Sequence, residues 1–344
     1  MLPAAMQVQL LEAPRPIGER PLRLARLPVP APGPGEILLQ VTVCGICHTD
    51  LHIVEGDLPL PLLPLVPGHQ IVGRVVALGP GVEEPALGRR VGVAWVQESC
   101  GRCRFCVQNR PNLCPKIRCT GWHRHGGFAE FTVVPAAAAH PLPEGLPDAQ
   151  AAPLLCAGII GFRALSRSGI HPGGRLGLYG FGASGHLALQ IARFWGCRVY
   201  VFTRSAHHQE LARQLGAVWA GRAEEDPGTT MEAGIIFAPA GPLVPLALGH
   251  LERGACLALA GIHMSPLPEL PYHLLYGERT ITSVTNSTPE DARELLALAG
   301  QIPLLPTIEA LPLAAANEAL ARLAAGRLPA AGVLTVADPA AGHP

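Results

Sequence analysis

Between residues 44 and 52 the chain reads Cys44-Gly45-Ile46-Cys47-His48-Thr49-Asp50-Leu51-His52, placing thiols, imidazoles, a hydroxyl and a carboxylate side by side. One thiolate of this stretch suits a Zn²⁺ ion, with a hydroxyl and an imidazole left over to move a proton. Zinc sites that do chemistry keep three protein ligands and one open position. Three blander readings of Cys44-x-x-Cys47 stand beside this one: a thioredoxin-like redox pair, half of a structural zinc site, or two small buried hydrophobes. The missing ligands must come from elsewhere. His69 follows a loop stiffened by Pro59, Pro61, Pro64 and Pro67, although a lone histidine is more often simply hydrogen bonded. Cys156 lies in the apolar run Ala151-Ala-Pro-Leu-Leu-Cys-Ala-Gly158, where an inert buried thiol is the bland alternative, and it is the best third candidate.

A second cluster is more specific. Cys100, Cys103, Cys106 and Cys114 sit in a polar loop and make a closed tetrahedral thiolate set for zinc. Cys-x₂-Cys-x₂-Cys followed by Cys-Pro also matches an iron–sulfur run, but the last gap is seven residues rather than three. With all four positions taken by sulfur, this metal would hold the loop together and do no chemistry.

The third constellation is Gly180-Phe181-Gly182-Ala183-Ser184-Gly185, between the strand-like Arg175–Tyr179 and a helical stretch from His186 to Phe194. Strand, G-x-G-x-x-G, helix is the context in which the motif binds a dinucleotide. Gly180 permits the tight turn, Gly182 lets backbone approach the pyrophosphate, and Gly185 lets helix and strand pack closely. The pyrophosphate then meets free N–H groups at a helix N-terminus. At the end of the next strand, Arg198 to Phe202, NAD-binding units carry an acid for the ribose 2′-hydroxyl. Here Thr203-Arg204-Ser205 stands instead, a cation and two hydroxyls that suit the 2′-phosphate of NADP.

These residues need a scaffold. Segments Ile37 to Val43, Gln70 to Leu78, Arg90 to Val96 and Ala129 to Val134 read as strands of an irregular all-β unit, with the proline-rich first 35 residues as edge strands and turns. His123 and His125 fall in a turn and are expected to face solvent. A helix is expected from Ala151 to about Ser168. Five strands, at Arg175, Arg198, Gly234 to Ala238, Ala255 to Ala260 and Thr280 to Val284, with helices at His208 to Leu215 and Pro245 to Leu251, point to a doubly wound parallel sheet, for which six strands are expected. Helices at Glu290 to Ala299 and Asn317 to Ala325 return the chain to the first unit. The expected division is 1–155, 156–287 and 288–344.

At 344 residues, 49% hydrophobic, the chain is long enough for two cores. Net charge is zero and no basic stripe occurs, which speaks against nucleic acid and anionic membranes as partners. No run of eighteen apolar residues and no export signal are found. Ten cysteines in such a chain point to reduced thiols and metal, and to a cytoplasmic location.

With these motifs in order, the chain resembles the zinc-dependent medium-chain alcohol dehydrogenases over nearly its full length. The resemblance implies an α/β protein with a GroES-like catalytic domain and a six-stranded Rossmann sheet. It implies two zinc ions, a catalytic one on Cys47, His69 and Cys156 and a structural one on Cys100, Cys103, Cys106 and Cys114. It further implies a proton relay through Thr49 and His52, Asp50 hydrogen bonding a zinc-bound histidine, and Trp95 narrowing the pocket as in relatives that act on small primary alcohols. The implied activity is hydride transfer between a primary or small secondary alcohol (or its aldehyde) and a nicotinamide cofactor, by a homodimer or homotetramer. An edge contact near Thr280 to Val284 would suit its two-fold axis.

Three departures stand out. Gln70 replaces the usual Glu after the zinc-binding histidine, removing a negative charge near the metal. The acid after the second Rossmann strand is missing. The segment from Ala330 to Leu334 lacks the arginine that many relatives place on the pyrophosphate. The rival readings are a zinc-free quinone reductase of the same superfamily and an iron–sulfur or zinc-stabilised nucleotide-binding protein without dehydrogenase activity. Cys44, Cys119, Cys197 and Cys256 are assigned to packing.

Overall fold

The computed structural model describes residues 2–328 and 330–336. The chain forms two compact units. The first holds the chain up to Cys156 together with Asn286–Gln301 and the stretch from Pro306 onward; the second holds Ala157–Thr285 and Ile302–Leu305.

In the first unit, alternating apolar side chains make Glu36–Ile46 the central strand of a seven-stranded sheet, with Ile37, Leu39, Val41 and Cys44 fully buried. Gln70–Leu78 pairs antiparallel along one edge, followed by Arg90–Val93 and Ala139–Pro141. Along the other edge Phe131–Pro135 covers the first half and Ala331–Thr335 the second, with Ile308–Pro312 parallel beyond it. The two terminal strands were not read from the sequence. Both are short, and only their tertiary partners separate them from loops. The N-terminal prolines bracket the two-stranded ribbon Ala5–Leu11 and Leu22–Pro28.

The expected strand Arg90 to Val96 is broken. It stops at Val93 and restarts as Val96–Glu98, which pairs with Arg118–Cys119 in a separate ribbon. Thr120 causes the break, because its Oγ1 donates to the Ala94 carbonyl at 2.8 Å and its N–H to the Trp95 carbonyl at 2.9 Å.

The helix expected from Ala151 begins at Asp148 and runs to Ser168, but not uniformly. Asp148–Pro153 and Ile159–Ser168 are α-helical, and Leu154–Gly158 between them is a wide π turn. By length and apolarity this 21-residue stretch could cross a membrane, yet 67% of its apolar window is buried inside the protein.

The second unit is a parallel sheet of six strands. In order they are Trp219–Gly221, Arg198–Phe202, Arg175–Tyr179, Met231–Ile236, Leu251–Leu259 and Thr280–Ser283, which is the doubly wound arrangement. The three-residue strand Trp219–Gly221 was too short to read from pattern. Behind the sheet, Tyr179, Phe202 and His250 stack, with Tyr179 and Phe202 centroids 4.3 Å apart. On helix Ala183–Phe194 the inner face is Leu187, Ala188 and Ile191, whereas Phe194 is 55% exposed.

Candidate active site

Cys47 stands at the N-cap of helix His48–Glu55 in extended conformation. Its Sγ accepts the Thr49 N–H at 3.3 Å, and its own N–H donates to Asp50 Oδ2 at 3.0 Å, closing a capping box. Free N–H groups and the dipole at a helix start favour a thiolate. The first turn buries Thr49 and Asp50 and leaves His48 exposed.

His69 enters from Gly68, whose φ of +97° is in the left-handed region that glycine tolerates. A Cβ there would lie 2.4 Å from the Phe128 ring, and one on Gly126 would lie 2.0 Å from the Gly68 carbonyl, so the loop behind His69 closes backbone on backbone. His69 is fully buried. Its Nδ1 lies 3.0 Å from Asp50 Oδ1 and its Nε2 3.4 Å from Cys47 Sγ. The carboxylate accepts the Nδ1 proton, so that Nε2, on the side of the sulfur, is the nitrogen left for a metal ion. Cys156 comes from the π turn, with its Sγ 3.9 Å from Cys47 Sγ. Wide turns of this kind occur mostly at functional sites, where they re-aim a side chain.

All three donor atoms lie within 4.8 Å of one another. Zn–S bonds of about 2.3 Å in a tetrahedron give S–S edges of about 3.8 Å, so the spacing fits. The charges fit as well. The hydrogen bond from Cys156 pulls the Cys47 thiol well below its ordinary range, and the same contact together with burial pushes Cys156 up. Two sulfurs this close do not both ionise without a cation between them. Burial works against a charge on His69, but Asp50 and Cys47 outweigh it and raise the imidazole to about 10. Burial pushes the Asp50 carboxyl up while His69 pulls it back.

Cys44 takes no part. It is fully buried, burial raises its thiol, and its Sγ points at the Gly45 carbonyl 3.6 Å away. A reactive thiol pair needs the opposite shift, so the thioredoxin-like reading falls. Gln70 is buried, and its Nε2 has no hydrogen-bond partner among the described residues.

His52 is half-buried near the end of its helix, and its Nδ1 lies 2.7 Å from Asp57 Oδ2, a partner not legible in the sequence. Trp95 is 8% exposed and packs edge-on against His69, centroids 5.1 Å apart. It stacks on Trp122 at 5.7 Å, and Trp122 packs on His123 at 4.2 Å. His123 is therefore half-buried, with Nδ1 accepting the Cys119 N–H, and does not face solvent as expected; His125 is exposed.

Cys100, Cys103, Cys106 and Cys114 form the second group within 4.8 Å. Cys103 and Cys106 sulfurs are 3.5 Å apart, and Cys114 Sγ accepts the N–H groups of Cys100 and Lys116, each at 3.4 Å. Backbone N–H groups of Arg102 and Cys103 lower the Cys100 thiol to about 6, the behaviour of a metal-binding thiolate.

In the second unit Gly180 has φ +92°, and a Cβ there would meet Ala238 N at 2.8 Å. Gly182 is the N-cap of helix Ala183–Phe194, and a Cβ on it would meet nothing within 4 Å. That clearance at a helix start fits a pyrophosphate. A Cβ on Gly185 would lie 2.7 Å from the Gly180 carbonyl, so this position needs glycine for packing. Thr203 is tied to Gly221 through its N–H, Arg204 is exposed, and Ser205 Oγ caps helix Ala206–Gln214 by accepting the His208 N–H at 3.3 Å.

Residues 33–144 match the alcohol dehydrogenase GroES-like domain, and residues 183–301 match the zinc-binding dehydrogenase domain. A probable alcohol dehydrogenase, AdhA, of Mycobacterium tuberculosis is 47% identical over 339 residues, covering 97% of this chain and 98% of its own. An alcohol dehydrogenase of Geobacillus stearothermophilus is 34% identical over 303 residues, covering 86% and 89%. The solved acetophenone reductase of Geotrichum candidum, in complex with NAD, superposes with a TM-score of 0.86 at 27% identity, covering 97% and 98%. The chain belongs to the zinc-dependent medium-chain alcohol dehydrogenase family and is an oxidoreductase of that type. Nothing in these likenesses favours an iron–sulfur protein or a non-catalytic binding protein.

Proposed function

We propose that this chain interconverts primary or small secondary alcohols with their carbonyl products, using one zinc ion at Cys47, His69 and Cys156 and a nicotinamide dinucleotide. The observation that carries this reading is the three-donor set, two sulfurs and an imidazole nitrogen, with Asp50 fixing the tautomer. Bound there, Zn²⁺ would supply an open Lewis-acid position that acidifies an alcohol or polarises a carbonyl. Two thiolates and a neutral imidazole balance its charge. Thr49, buried two residues from Cys47, would accept the proton of the alcohol while giving up its own, and His52, oriented by Asp57, would pass that proton to water. Trp95 closes the wall beside His69 and favours small substrates. The second zinc, on Cys100, Cys103, Cys106 and Cys114, holds its loop.

We infer further that NADP is preferred, because exposed Arg204 with Thr203 and Ser205 stands where an acid would select NAD. Self-association as a dimer or tetramer is part of the reading. Thr280–Ser283 is an edge strand, and in the segment of chain that precedes it Ile262, Leu267, Tyr272 and Tyr276 are 56, 46, 73 and 71% exposed. Ten free thiols suit a reducing compartment such as the cytoplasm.

The test is a panel of short alcohols and aldehydes assayed with both cofactors. Turnover of small alcohols is expected; no oxidation with either cofactor would remove the proposal. Arg204→Asp is expected to shift preference from NADP toward NAD, and an unchanged preference would remove the 2′-phosphate assignment alone.

A further inference from the structure

Trp95 is held on two sides by groups that the proposed reaction does not use. Thr120 fixes its backbone, as described. Its indole Nε1–H donates to Asn286 Oδ1 at 3.1 Å. Asn286 adopts φ +51°, a left-handed conformation that asparagine takes several-fold more readily than other side chains. Its Nδ2–H donates to the Asn112 carbonyl at 3.2 Å. Asn112 is 3% exposed and lies two residues before Cys114 of the four-cysteine cluster. A line of hydrogen bonds thus runs from the cysteine loop through Asn286 to the indole that packs against His69.

We propose that Asn286 is a positioning residue for substrate size: it clamps the orientation of Trp95 and so sets the width of the site beside His69, with the cysteine loop as its anchor. The inference rests on the alcohol dehydrogenase reading and on Trp95 as the pocket wall. The amide satisfies both partners in one orientation only, oxygen toward the indole and nitrogen toward the carbonyl. A buried indole N–H deprived of its acceptor carries a desolvation penalty, which favours any rotation that finds another. Such a rotation moves the ring edge that faces His69.

Asn286→Gly tests this without straining the backbone, since glycine accepts φ +51°. The ratio of kcat/KM for 1-hexanol over ethanol is expected to rise about tenfold, within the range that added methylenes command in apolar pockets, with most of the change in KM. Tryptophan emission should shift to the red and become more open to acrylamide quenching. In a Trp95→Phe background, which has no N–H to clamp, Asn286→Gly should change neither the ratio nor the emission. A ratio unchanged within twofold, or an equal shift in both backgrounds, would overturn the proposal. A wild-type protein that oxidises no alcohol would instead overturn the parent reading and the size claim together, whereas an active wild type with a silent Asn286→Gly sinks the clamp alone.

Discussion

The Asp50 carboxylate grips His69 through Nδ1 at 3.0 Å, and both side chains are buried. Its second oxygen accepts the Cys47 N–H, so one carboxylate orients two of the three donors. In Asp50→Asn the amide can accept from only one of these partners and presents N–H to the other. Zinc affinity at the Cys47 site is expected to fall about 10- to 100-fold, the usual consequence of losing a group that orients a ligand. Competition with a chromogenic chelator measures it; unchanged affinity would contradict this role for Asp50.

Thr49→Ala removes the hydroxyl but keeps the backbone N–H that caps Cys47 Sγ. Turnover is expected to drop by about two to four decades, the range of general acid–base help. Zinc content and dinucleotide binding should stay constant. A silent substitution would place the proton path elsewhere.

Cys103→Ser takes one sulfur from the second cluster, whose neighbour Cys106 lies 3.5 Å away. A structural metal contributes folding free energy directly. The thermal midpoint is expected to fall by about 5–10 °C with loss of one zinc per chain, while the folded fraction keeps the zinc at Cys47. An unaltered midpoint in a scanning measurement would deny the loop a metal.

Stability should depend on pH through His140 and His186. Burial holds both imidazoles at about 4, with Arg293 adding to the effect on His140 and His208 to that on His186. The folded state keeps them neutral, whereas the unfolded chain protonates them near pH 6.5. Their contribution is therefore full above pH 6.5 and is lost as pH falls from there toward about 4. The slope is up to about 1.4 kcal/mol per pH unit for each proton. Urea unfolding between pH 7 and 5 measures it, and His140→Gln should flatten the curve. A profile as steep as the wild type's would exclude His140 as a contributor.

The parts of this site that were legible in the sequence are those set by local chemistry. The four cysteines, the glycines at 180, 182 and 185, and the strands Arg175–Tyr179 and Arg198–Phe202 follow from spacing and pattern. What stayed hidden depends on partners far along the chain. Nothing near Leu154–Gly158 announces a π turn, because its stability comes from packing. The break at Ala94 and Trp95 is imposed by Thr120, and the acceptor for the indole is supplied by Asn286. Asp57 is only five residues from His52, yet a short exposed acid after a glycine reads as a turn residue. The strands Ile308–Pro312 and Ala331–Thr335 acquire meaning only beside Glu36–Ile46.

The central claim is that Cys47, His69 and Cys156 share one reactive metal ion. Zinc counted per chain by mass spectrometry, alongside alcohol oxidation and dinucleotide binding, tests it in the wild type and in Cys47→Ala. Two zinc ions in the wild type, one in the variant, abolished turnover and retained dinucleotide binding are the expected result. A Cys47→Ala protein that keeps two zinc ions and oxidises alcohol at the wild-type rate would contradict it.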